Sequence, residues 1–126
     1  MNKYYNKKTT IDGITFDSKI EAKRYKELKL MEQAGLIKDL VLQPQYELLK
    51  GFKRRGKTYR KVTYIADFEY FDNEKNRKVI EDVKGFETKD FKLKLKYFLS
   101  NLDEDIDFLL VKNNEIKVHW LVVKND

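Results

Sequence analysis

Residues 18 to 34 contain neither proline nor glycine, are rich in Lys, Glu, Leu and Ala, and place Ile20, Arg24, Leu28 and Met31 at helical spacing. That pattern predicts an amphipathic helix, with Ser18 as its N-cap and Gly35 as the stop just beyond it, before Leu36-Ile37 opens the next segment. A second helix is predicted from residue 88 to about 99, where Phe91, Leu95 and Phe98 make an apolar stripe bordered by Lys89, Lys92, Lys94 and Lys96.

Elsewhere the period is two. Residues 62 to 71 alternate Val62, Tyr64, Ala66, Phe68 and Tyr70 with Ile65, Asp67, Glu69 and Phe71, which predicts one long strand. After a turn at Asp72-Asn73-Glu74-Lys75-Asn76, residues 78 to 84 read as a second strand, antiparallel to the first and ending at Gly85. Residues 40 to 49 also read as a strand, although Pro44 inside it argues for an edge position or a bulge. Residues 50 to 61, with seven basic side chains in twelve and turn residues Gly51 and Gly56, read as a long basic hairpin loop. Asp12-Gly13 between Thr9-Thr10-Ile11 and Ile14-Thr15-Phe16 predicts a short hairpin ahead of the first helix. Residues 106 to 111 and 116 to 123, separated by Asn113-Asn114, predict a closing one. The order is therefore helix, three strands, helix, two strands, an α/β (α+β) arrangement without repeats.

At 126 residues this is material for one domain, expected over residues 11–126 behind a polar, basic arm at residues 1–10. Zero cysteines and a single histidine exclude disulfides, thiol nucleophiles, thiolate zinc sites and multi-histidine metal centres, so a metal here would be held by oxygen. No run approaches the roughly 20 apolar residues of a membrane span, and the start lacks the apolar segment of a secretory signal, so a cytoplasmic protein is expected. Charge is uneven: residues 101–126 hold six acids and three lysines, leaving the first hundred residues at +9. An anion would bind there, though a basic surface alone is as often mere solvation.

Strand alternation puts Asp82 and Lys84 on one face and Glu81 and Val83 on the other. If the strand of Asp67 lies alongside, two carboxylates and one ammonium converge. Such acids repel unless a cation sits between them, and oxygen ligands suit Mg²⁺ or Mn²⁺. A metal-polarised phosphate and an activated water, oriented by Lys84, are the needs of phosphodiester hydrolysis. The spacing alone is unspecific, because an acid two positions before Lys also begins at Asp17, Glu21, Glu27, Glu87, Asp90 and Glu115. Only the copies at Asp82 and Glu115 fall on or beside predicted strands. Asp67 has a plain alternative as an exposed polar position, set against apolar neighbours that favour burial with a partner. Glu21 has one too, because Ser18-Lys19-Ile20-Glu21 has capping-box spacing. His119 and Trp120 read as structural.

Four stretches in order carry a resemblance: Gly13-Ile14-Thr15-Phe16-Asp17-Ser18-Lys19-Ile20-Glu21-Ala22, Leu42-Gln43-Pro44, Tyr64-Ile65-Ala66-Asp67-Phe68 and Glu81-Asp82-Val83-Lys84-Gly85. The chain resembles the PD-(D/E)XK nuclease superfamily, and within it the phage and prophage DUF1064 family, on the Holliday-junction-resolvase-like branch. Ala66 stands where the superfamily's name has Pro. The resemblance implies a restriction-endonuclease-like αβββαβ core, its mixed central sheet flanked by helices, here with an added C-terminal hairpin strand. It implies a Mg²⁺- or Mn²⁺-dependent DNA endonuclease serving phage recombination or DNA processing. Asp67 and Asp82 would ligate the metal with the Val83 carbonyl, Lys84 would act on the attacking water, and Glu21 would reach the metal or its water. Gln43 is a weaker candidate for the same pocket. Lys53, Arg54, Arg55, Lys57, Arg60 and Lys61, with Lys89, Lys92 and Lys96, would hold branched or double-stranded DNA. A homodimer is expected, with no membrane and no small-molecule cofactor. The rival readings are a non-catalytic DNA-binding or phage-assembly module that keeps the fold, and an RNA-directed nuclease.

Overall fold

Thr9–Ile11 (β1) and Ile14–Phe16 (β2) form an antiparallel hairpin whose turn residues Asp12 and Gly13 take φ of 54° and 77°, the left-handed pair a tight two-residue turn requires. The first of these strands starts inside the expected arm. The computed structural model describes residues 8–112 and the backbone of residues 115–118. Residues 1–7 of the arm, the turn at residues 113–114 and everything from His119 onward, Trp120 included, lie outside the described residues.

The first helix, α1, runs Lys19–Gln33, with the Ser18 hydroxyl accepting from the Glu21 N–H at 3.1 Å and Gly35 at φ +79° beyond the end. Its buried residues are Ala22, Arg24, Tyr25 and Leu28, while Ile20 and Met31 are only partly covered. The inward stripe is therefore rotated from the predicted one, and Tyr25 enters the core by handing its hydroxyl to Asp12 at 3.0 Å.

The two predicted strands that flank the basic loop are each broken in two. Residues 40–49 divide at Gln43-Pro44 into Ile37–Leu42 (β3) and Gln45–Leu49 (β4). Gln43 sits at φ +52° and Pro44 brings no N–H to a ladder, so the chain turns out of one sheet and into another there. Residues 62–71 divide at Ala66-Asp67 into Val62–Ile65 (β7) and Phe68–Asp72 (β8). β4 pairs with β7 and β3 pairs with β8, both antiparallel. Between the two ladders, Gln43 N–H donates to Asp67 C=O at 2.9 Å, and Ala66 N–H to Pro44 C=O at 3.1 Å, so the backbone groups at the crossing are still answered. The basic segment is itself a β-hairpin, Phe52–Arg54 (β5) against Lys57–Tyr59 (β6), turned at Arg55-Gly56.

Arg77–Val83 (β9) lies antiparallel to β8, and Ile106–Lys112 (β10) lies parallel to β9 after the crossover helix Lys89–Ser100 (α2). α2 begins at the Thr88 cap and buries the predicted stripe of Phe91, Leu95 and Phe98. Glu115–Val118 (β11) closes the central sheet in the order β11-β10-β9-β8-β3. The fold is α+β, with two helices and a mixed central sheet, and the expected helix, three antiparallel strands, helix and parallel strand are all present, in that order.

Alternation along the central strands sorts the core into two layers. Phe68, Tyr70, Val79, Val83 and Val111 face Ala22, Tyr25 and Leu28 of α1; Ile80, Phe108 and Leu110 face Phe91, Leu95 and Phe98 of α2, together with Tyr64 and Tyr46 of the β4–β7 ribbon. Each large side chain fully removed from water contributes about 1.5–3 kcal/mol, and both layers hold several. Among the described residues no helix is long and apolar enough to cross a membrane.

Candidate functional site

β9 carries two neighbouring acids, both almost fully buried, and alternation sends them to opposite layers. Glu81 points at α1, where the Arg24 guanidinium grips it with two bonds of 2.7 Å and Tyr70 donates a third. Burial opposes the charge on Arg24, but its bonds to Glu81 and the charge of that carboxylate outweigh the cost and hold it protonated. This acid is neutralised and saturated.

Asp82 points to the other layer and is not. Its Oδ2 accepts from the Tyr64 hydroxyl, whereas Oδ1 is buried with no hydrogen-bond partner and has the Lys84 ammonium at 3.6 Å. That is too long for a hydrogen bond but well inside ion-pair range. Lys84 also lies 4.6 Å from the centre of the Phe91 ring, which fixes its approach from the start of α2.

Asp67 sits at the point where the chain leaves β7 for β8, one residue before the inward Phe68, and so on the same side of the sheet as Asp82. Its backbone N–H donates to Glu81 C=O at 3.0 Å, and its Oδ2 accepts from Val83 N–H at 2.6 Å. Burial, then a proton-sharing contact with Asp82 and the charge of that residue, then Glu21, push the Asp67 carboxyl up to about 9, while the Val83 N–H pulls it back. Glu21, on the first turn of α1, is raised by burial, by Asp17 and by Asp82, and lowered by Lys84. Half of a capping box is present, since Ser18 accepts from the Glu21 backbone. The Glu21 carboxyl itself is near enough to feel the charges of Asp17, Asp82 and Lys84.

The fold thus gathers Glu21, Asp67, Asp82 and Lys84, with Val83 contributing its N–H. Gln43 is beside them through its backbone bond to Asp67, and its side chain is exposed. Lys53, Arg54, Arg55, Lys57, Arg60 and Lys61 are all exposed, on and around the β5–β6 hairpin, and Lys89, Lys92 and Lys96 are exposed on α2. Tyr64 was not read from the sequence as a site residue, because an aromatic on an alternating strand looks like any core residue. Burial and the charge of Asp82 keep its phenol protonated as a donor.

Among the described residues no three His, Cys, Asp or Glu side chains are grouped to hold an ion by themselves. The donors on hand are two carboxyls, one with a bare oxygen, and a mutual repulsion that a cation would relieve. These fit a small hard dication that keeps several of its waters, as Mg²⁺ does.

No curated protein matches the chain. Over residues 1–125 it matches the family described as "Protein of unknown function (DUF1064)".

Proposed function

We propose that this chain, which belongs to the DUF1064 family of proteins of unknown function, is a divalent-metal-dependent DNA endonuclease of the PD-(D/E)XK type. The observation that carries the reading is the buried Oδ1 of Asp82, which accepts no hydrogen bond, set near Asp67, whose carboxyl is pushed up by burial and by Asp82, and beside an ammonium on the next residue of that face. A stable core has no use for that arrangement, since a buried polar atom left unpaired costs about 1–3 kcal/mol. The neighbouring acid Glu81 is satisfied threefold.

Asp67 and Asp82 would hold Mg²⁺ or Mn²⁺, with the Val83 carbonyl completing the set; the bound metal supplies Lewis-acid polarisation of a phosphate and a more acidic water. Tyr64 holds Asp82 by one oxygen and leaves the other facing the site. Lys84, pinned between Asp82 and the Phe91 ring, orients the attacking water and balances charge developing on the phosphoryl oxygens. Glu21, on the side of α1, would be the group to take up a proton released there. The exposed bases of the hairpin and of α2 hold the DNA backbone. A homodimer, a branched substrate and a role in phage DNA processing belong to the same proposal.

Labelled linear and branched DNA incubated with Mg²⁺ or Mn²⁺ tests it. We expect cleavage that Asp82→Asn abolishes and that Lys84→Ala slows on the order of 10²- to 10⁴-fold. Cleavage by Asp82→Asn at the wild-type rate overturns the assignment of the site, and no cleavage of any DNA with either metal favours the non-catalytic binding module. Parallel RNA substrates decide the third reading.

A further inference from the structure

Phe52 and Tyr59 face one another across the β5–β6 hairpin, with ring centres 4.8 Å apart and planes within 10° of parallel. They remain 45% and 39% exposed, and every residue from 50 to 61 is exposed with them. A cross-strand aromatic pair stabilises a ribbon, and that accounts for the contact between the rings. It does not account for their setting. Seven cations and no acid occupy residues 50–61. The Lys57 ammonium sits 5.2 Å from the Tyr59 ring centre, and an open cleft of about 680 Å³ runs past Phe52, Tyr59, Lys50, Arg60 and Lys61.

Flat apolar faces among closely spaced cations are what unpaired nucleotides require: the rings receive base faces and the cations receive phosphates. A continuous duplex hides its base faces in its own stack and offers this surface only phosphates and groove edges. The connectivity ties the feature to the acids, because β6 runs on through Arg60-Lys61 into β7, where Tyr64 holds Asp82. Tyr59 precedes Tyr64 by five residues, so their Cα atoms are at most about 18 Å apart even on a fully extended chain.

We infer that the β5–β6 hairpin is a stacking platform for unpaired bases in DNA, on Phe52 and Tyr59, and that it directs the protein to forked, gapped or single-stranded DNA over uninterrupted duplex. This rests on the DNA reading of the acid site for its choice of polymer and places the selection of substrate structure in the hairpin.

Fluorescence anisotropy in EDTA, with single-stranded, forked and fully paired DNA and the matching single-stranded RNA, tests the platform without involving cleavage. We expect the wild-type chain to bind single-stranded and forked DNA at least about fivefold tighter than duplex. Phe52→Val combined with Tyr59→Val keeps strand propensity and removes the ring faces; it should lose about tenfold on those two substrates and nothing on duplex. Tyr59→Leu alone, which keeps an apolar contact with Phe52, should show the same selective loss even if the double variant folds poorly. Arg54→Gln with Arg55→Gln should weaken all DNA alike. Equal or tighter duplex binding by the wild type, a loss by the valine pair shared equally by every substrate, or a preference for RNA overturns the inference. With metal absent these outcomes are independent of whether Asp67 and Asp82 support hydrolysis, so failure of either idea is read on its own.

Discussion

Asp67 keeps a proton at neutral pH in the metal-free protein because burial disfavours its charged form and releasing the proton would place charge beside Asp82 and Glu21. Its folded value lies above the unfolded one of about 3.9. The stability this proton brings is therefore fully present below about pH 4 and lost as pH rises toward 9. Asp67→Asn supplies a neutral side chain at every pH. We expect it to melt a few degrees above the metal-free wild type near pH 9, equivalent to about 1 kcal/mol, and to fail to gain stability from added Mn²⁺. Thermal melts across pH, with and without the ion, measure both effects, and a variant less stable than wild type at high pH contradicts the assignment. Tyr64→Phe removes the donor to Asp82 Oδ2 without removing bulk. Leaving that buried oxygen unanswered should cost about 1–3 kcal/mol in urea unfolding, and a smaller loss in saturating Mn²⁺ would show that the ion takes over the neutralising role.

At the scale of elements, the ion pair of Arg24 with Glu81 joins α1 to the middle of the sheet and thereby fixes where the first turn of that helix, with Glu21, stands. Removing one partner strands a buried charge. Glu81→Gln or Arg24→Met should therefore cost about 3–5 kcal/mol, while Arg24→Met combined with Glu81→Met should recover much of the loss. Chemical denaturation of the three variants checks this, and additive single losses would deny the coupling. The helices were legible in the sequence because caps and apolar stripes are local signals, and Ser18 and Gly35 both act as read. The break at Ala66-Asp67 was not, because Tyr64, Ala66, Phe68 and Tyr70 keep period two straight through it, and all four are buried. What changes there is the strand's partner, from β4 to β8's neighbours in the central sheet, and partnership is a tertiary fact. Pro44 did announce a disturbance, though not that the chain changes sheets.

Across the whole molecule, the acids of the site came from strand spacing and from a resemblance spread over four stretches. Their electrostatic roles needed coordinates: nothing in Glu81-Asp82 says which acid is saturated by an arginine and which is left bare. The uneven charge was legible at once, and the structure places its densest part on the β5–β6 hairpin. Replacing Arg54 and Arg55 with Gln should lower the slope of log affinity for duplex DNA against log salt by about 2, in gel-shift or anisotropy titrations without metal. An unchanged slope would remove these side chains from the interface. Glu81 and Asp82 also guard the alignment of the strand that bears them. Sliding β9 by a single position one way would set Ile80 against Arg24 in place of its fork partner, and the other way would thrust Glu81 into the place of Ile80 among the rings beneath α2. A mis-threaded chain would find no resting place there, so two adjacent acids of opposite fate serve as a proofreading mark written into the middle of the sheet.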